Sequence, residues 1–122
     1  MGKKRILFVD NRPDFMHQPV LRLRLEGYEV DEATSGQDGL SRLRDMDYDL
    51  LMLDADLPES DGWGTIRAVR EDDELKDIKV IVFMAPQGET GKLVLVPVDG
   101  ELRRPFNMAQ MLEAVEKVIG LP

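Results

Sequence analysis

The residues able to do chemistry stand at the ends of apolar runs. Asp10 follows Ile6-Leu7-Phe8-Val9, Asp54 follows Leu50-Leu51-Met52-Leu53, and Arg104 stands directly before Pro105. Asn11 adjoins Asp10, and Asp56 comes two residues after Asp54. An acid delivered to the end of a buried strand is anchored by rigid backbone yet open to solvent. Such a carboxylate can ligate a metal ion, attack phosphorus, or do both. Two of them side by side repel each other unless a cation lies between. Arg104 offers a second way to supply that charge, by pairing with Asp10 or Asp54 itself.

These placements depend on the elements that carry them. The two runs above, with Val80-Ile81-Val82-Phe83-Met84 and Leu93-Val94-Leu95-Val96, are apolar without alternation. That pattern suits strands covered on both faces, as in a parallel sheet flanked by helices. Tyr28 to Ala33 alternates more and reads as a strand nearer an edge. Ser35 is placed to cap a helix over Gln37 to Met46, and Asp61 one running through Trp63, Ile66 and Val69. Asn107 and Gln110 form a capping-box pattern ahead of Met111, Leu112, Val115, Val118 and Ile119, with Gly120 as the stop. In Asp14 to Glu26, Leu21-Arg22-Leu23-Arg24-Leu25 alternates like a strand. A strand here would leave the first strand without a crossover, and Gly27 suits a helix stop, so a helix with a kink or late start near Pro19 is expected. The alternation of strands and helices implies a doubly wound α/β sheet, in which function gathers at the carboxyl ends of the strands. Asp10, Asn11, Asp54, Met84 and Arg104 would meet there.

The sequence has 122 residues, 43% of them hydrophobic, enough for one core, and no composition break or repeat divides residues 1–122. A formal charge of −8 disfavours a nucleic-acid binder, which needs a basic face. No apolar run is long enough for a signal-peptide core or a membrane span, and the absence of cysteine removes thiolate chemistry and disulfides. A single cytoplasmic domain is the simplest expectation. The last helix runs almost to Pro122, leaving no effector domain after it; a stand-alone regulator and an excised domain both stay open.

Over nearly its whole length the chain resembles the receiver domains of bacterial two-component response regulators. The resemblance is carried by Ile6-Leu7-Phe8-Val9-Asp10, Gly27-Tyr28-Glu29-Val30, the block Asp54-Ala55-Asp56-Leu57-Pro58-Glu59-Ser60-Asp61-Gly62-Trp63, Asp99-Gly100 and Arg104-Pro105-Phe106. It implies a flavodoxin-like fold, a five-stranded parallel sheet of order 2-1-3-4-5 flanked by five helices. The implied activity is acceptance of a phosphoryl group on an aspartate from a histidine kinase or phosphotransfer protein, with Mg²⁺. Asp54 then matches the phosphoacceptor and Asp10 the first metal-site acid. Asn11 stands where the second acid belongs, and Asp56 supplies a backbone carbonyl to the metal. Met84 replaces the hydroxyl residue after the fourth strand, and a thioether donates no hydrogen bond. Arg104 replaces the lysine before a cis proline, keeping the charge on a planar fork in place of a point ammonium. Glu101 replaces the aromatic switch residue. The segment from Pro86 to Pro97, with Gly88 and Gly91 and a β-branched run, is poor for a helix. The fourth helix of the pattern is therefore expected to be missing or remodelled, as a loop followed by an extended stretch.

Three functional readings follow. One is a phosphorylatable receiver, with a weakened Mg²⁺ and phosphoryl site at Asp54, passing its signal to an unidentified downstream protein. Another is a pseudo-receiver that works by protein–protein contact without phosphotransfer, which Asn11, Met84, Glu101 and Arg104 favour. A third starts from Asp54-Ala55-Asp56, similar to the Asp-x-Asp of haloacid-dehalogenase-type phosphatases. That motif normally follows the first strand, and here two βα units precede it. Neither of the first two readings makes the chain an enzyme.

Overall fold

Successive residues of the first three apolar runs serve opposite faces of one sheet, and both faces are covered. A computed structural model describes residues 2–57, 62–88 and 95–122. Its strands are β1 (Arg5–Val9), β2 (Glu29–Ala33), β3 (Leu50–Asp54), β4 (Lys79–Met84) and β5 (Gly100–Arg103). All pair in parallel, in the order β2-β1-β3-β4-β5. Four helices are described: α1 (Pro13–Glu26), α2 (Gly36–Asp45), α3 (Gly62–Glu71) and α4 (Met108–Ile119). Ile6, Phe8, Leu50, Met52, Ile81 and Phe83 pack with Met16, Val20 and Leu23 of α1 and Met111 and Val115 of α4. Leu7, Val9, Leu51, Leu53, Val80, Val82 and Met84 pack with Leu43 of α2 and Ile66 and Val69 of α3. The central strands are apolar throughout because neither face meets water.

Helix boundaries follow their local signals. The Ser35 hydroxyl accepts the Asp38 N–H at 3.0 Å, and Asn107 and Gln110 close a reciprocal capping box. Gly27 ends α1 at φ 111°, a left-handed conformation that a side chain would oppose. α1 begins at Pro13, whose missing N–H is no loss at a first helical position, and runs through Pro19. The helix thus starts six residues before Pro19, in place of the late start expected there. Met16, Pro19, Val20 and Leu23 form its buried stripe, and that packing outweighs the backbone bond that Pro19 removes.

One sequence expectation is corrected. A missing or remodelled fourth helix was expected from Pro86 to Pro97, yet the described residues form four helices, the fourth being Met108–Ile119. Poor helix propensity in one segment speaks only for that segment; α4 owes its stability to its capping box and buried face. Of the segment itself, residues 89–94 lie outside the described residues, as do Leu93 and Val94 of the fourth apolar run, the Pro58–Ser60 turn and the Asp61 cap. Leu95 occupies a turn at φ 60° and Val96 is buried, so the last described strand starts later, at Gly100.

Gly62 sets the distance between α3 and the end of β3. A Cβ there would lie 2.2 Å from the Asp54 carbonyl oxygen and 2.5 Å from the Ala55 Cα, both backbone atoms. Only glycine lets the helix start approach this closely.

Candidate functional site

Asp10 lies just past the end of β1, its N–H donating to the Ala33 carbonyl at 3.1 Å, and Asp54 is the last residue of the adjacent β3. Both are buried, at 2% and 1% exposure. Arg104 follows β5, and its backbone N–H donates to the Met84 carbonyl at 2.8 Å, which fixes the chain beside β4. The Arg104–Pro105 bond is cis, as expected. The strand ends thus bring together three of the residues singled out from sequence, though they are distant along the chain.

A fourth residue, which the sequence reading did not single out, completes the group. Arg12 occupies the N-cap position of α1 in an extended conformation, and its own N–H donates to Asp10 Oδ1 at 2.9 Å. Its side chain folds back so that Nε lies 3.4 Å from Asp10 Oδ1 and Nη2 donates to Asp54 Oδ2 at 2.9 Å. The guanidinium also stacks over the Phe15 ring, 4.6 Å from its centroid. From the other side, Arg104 reaches Asp54 Oδ1 at 3.4 Å through Nη1. Its Nη2 reaches Asp54 Oδ2 at 3.2 Å and Asp10 Oδ2 at 3.4 Å. The Asp56 N–H donates to Asp54 Oδ1 at 2.8 Å.

The donors nearly saturate the acids. Asp10 Oδ1, Asp54 Oδ1 and Asp54 Oδ2 each accept two donors, and Asp10 Oδ2 accepts one. A carboxylate oxygen has two lone pairs, so with donors from the described residues only Asp10 Oδ2 keeps one in reserve. The signal that would have found Arg12 is its spacing, two residues after Asp10 in the same strand-to-helix turn.

The other expected site residues fall around this centre. Asn11 is exposed, at a bend between Asp10 and Arg12. Asp56 is exposed and turns its carboxylate to the next loop, accepting the Ala85 N–H at 3.1 Å. Met84 is fully buried in the apolar layer with Leu53 and Val82. Arg103 donates to the Pro86 and Gly88 carbonyls at 2.8 Å each, so the loop after β4 is held from two sides. Asn11, Arg12, Asp54, Asp56, Ala85, Pro86 and Arg104 line a cleft of about 420 Å³. Glu101 is exposed on β5, and His17 is exposed on α1. Among the described residues no three His, Asp or Glu side chains converge as a metal-binding group, and no helix is long and apolar enough to cross a membrane.

The model of the response regulator receiver domain matches residues 6–116. The chain belongs to this family. It is a receiver domain of two-component signal transduction. The DNA-binding dual master transcriptional regulator RpaA of Synechocystis is 30% identical over 117 residues, covering 94% of this receiver and 48% of that protein. The receiver spans about half the length of this and other transcriptional regulators it matches. Among solved structures, a sensor protein from Polaromonas sp. JS666 is 25% identical, with a TM-score of 0.88 and 97% of each chain covered. The receiver domain of the sensor histidine kinase PA1611 from Pseudomonas aeruginosa has a TM-score of 0.87 at 22% identity, covering 98% of this chain and 99% of that one. It holds a magnesium ion coordinated in its active-site cleft. Receiver domains generally bind Mg²⁺ at that place and exchange signals with histidine kinases or phosphotransfer proteins.

Proposed function

We infer that this receiver domain, residues 1–122, signals by protein–protein contact in one standing conformation, without a phosphorylated Asp54. The observation that carries the reading is that both Asp54 oxygens already accept two hydrogen bonds each. A nucleophilic carboxylate needs a free lone pair aimed at phosphorus, and Mg²⁺ needs open oxygen ligands in near-octahedral array. As arranged, Asp10 and Asp54 offer guanidinium-bound oxygens, so the donor set does not fit the ion. Asn11 removes one further negative charge, and buried Met84 offers no hydroxyl to a phosphoryl oxygen. Receivers depend on such preorganised groups to stabilise the transferring phosphoryl. In this reading the chain has no catalytic activity, its partner is a protein, and it acts in the cytoplasm. The net charge of −8 supports neither nucleic acid nor an anionic membrane as the partner.

Acetyl phosphate with Mg²⁺, followed by intact-mass measurement, tests this. The expected outcome is an unmodified chain. A phosphoryl adduct that disappears in Asp54→Ala would establish the opposite reading, a phosphorylatable receiver. One observation favours that second reading: Asp54 lines a cleft that opens to solvent, so a small phosphodonor has an approach.

A further inference from the structure

We propose that Arg12 is a built-in counter-charge which, together with Arg104, takes the place of a divalent cation between Asp10 and Asp54. The proposal rests on the reading that this site works without an ion, and it assigns that property to one residue.

The two carboxylate side chains are 3% and 2% exposed, and buried acids in contact are costly unless positive charge and hydrogen bonds compensate them. A cation meets that need by bridging the two groups. Each guanidinium here does the same. Arg12 touches Asp10 Oδ1 and Asp54 Oδ2, and Arg104 Nη2 touches Asp10 Oδ2 and Asp54 Oδ2. Two arginines balance two aspartates.

Arg12 is also held in place for this task. Its backbone N–H is fixed on the acid that its side chain grips, and Phe15 supports the guanidinium from below. A bound ion exchanges with solution and is lost to chelators, whereas a side chain is permanent. Removing Arg12 would leave an excess negative charge. It would also take one donor from Asp54 Oδ2, on the cleft that Asn11 and Asp56 line, and one from Asp10 Oδ1. Hard oxygen donors around an unbalanced negative charge are what Mg²⁺ prefers.

The test is thermal melting of the whole chain in EDTA and in millimolar Mg²⁺. Wild type is expected to melt at the same temperature in both. Arg12→Gln is expected to melt roughly 5–10 °C lower in EDTA, and to regain part of that loss in Mg²⁺, because an ion that binds only the folded state stabilises it. The double variant Arg12→Gln/Asp54→Asn, with less charge to neutralise, is expected to lose the Mg²⁺ response. Arg12→Lys keeps the charge and is expected to stay folded and unresponsive. A Mg²⁺ response in wild type or in Arg12→Lys would overturn the proposal. So would an Arg12→Gln variant that melts like wild type in EDTA or ignores Mg²⁺. Should Arg12→Gln not fold in EDTA, folding on addition of Mg²⁺ supports the proposal and failure to fold in either condition overturns it. Phosphoryl labelling of wild-type Asp54 would defeat the functional reading and leave these melting results to decide the role of Arg12 separately.

Discussion

Arginine does different work at the two ends of this sheet. At the carboxyl ends, Arg12 and Arg104 face the buried carboxylates of Asp10 and Asp54. At the amino ends of β4 and β5, Arg70, the penultimate residue of α3, faces mainly backbone. It donates to the carbonyls of Pro97 at 2.9 Å, Lys76 at 2.8 Å and Ile78 at 2.6 Å, and to Asp99 Oδ2 at 3.2 Å. Asp99 is 30% exposed and also accepts the Val80 N–H at 2.8 Å. The same side chain therefore balances buried charge at one end and ties loops to a helix at the other. What a guanidinium contributes is set by its acceptors: losing a partner of a buried carboxylate strands a charge, while losing a partner of a carbonyl near the surface lets water replace it.

The largest expected effect separates these roles. Arg104→Ala should destabilise the fold by about 3 kcal/mol, because it leaves two buried acids with one counter-charge. Chemical denaturation checks it, and adding Asp54→Asn should restore much of the loss. If neutralising Asp54 restores nothing, charge balance is not what Arg104 provides.

Arg70→Met comes next, at about 1–2 kcal/mol, the scale of a few partly hydrated hydrogen bonds. Hydrogen exchange should show faster amide exchange at Val80 and Asp99, whose N–H groups bond to Asp99 Oδ2 and the Val80 carbonyl. Adding Asp99→Asn should not rescue this variant. A rescue would make the two ends alike and break the comparison.

A smaller effect concerns pH. The Tyr48 hydroxyl donates to Asp31 Oδ2 at 2.6 Å, near Arg5, which pairs with Asp31 and Glu29. Burial, followed by this bond to a carboxylate, pushes the phenol up from 10.0 to about 12. Burial raises Tyr28 as well. The neutral form is the one favoured by folding. The contribution is thus complete below pH 10 and lost as pH rises towards about 12. Ultraviolet titration should show late phenolate formation, and Tyr48→Phe should remove one late step and flatten the loss of stability in that window. A Tyr48 phenolate forming near the ordinary value would contradict the assignment.

The smallest effect is the surface control. Arg42 pairs with Asp38 one turn away on α2, with both side chains more than 40% exposed. Arg42→Gln should cost less than about 0.5 kcal/mol and become undetectable at high salt. A cost comparable to that of Arg70→Met would mean that exposure does not grade these arginines.

Local rules carried much of this fold. Ser35, Asn107 with Gln110, Gly27 and Gly120 mark helix ends by capping chemistry that needs only neighbouring residues. The unbroken apolar runs required a sheet covered on both faces, and so placed Asp10 and Asp54 at strand ends. The path of α1 through Pro19 was less legible, because a buried stripe supplied by other elements overrode a local penalty.

The sequence by itself determined that Asp10 and Asp54 stand at the carboxyl ends of buried strands. Only the tertiary structure decided how those charges pair. Arg12 meets Asp54 across 42 positions, and Arg104 meets Asp10 across 94. Asp56, next to the site in sequence, sends its carboxylate to Ala85 instead. Strand position follows from pattern, but the direction of a long flexible side chain depends on which acceptors the packed sheet brings within reach.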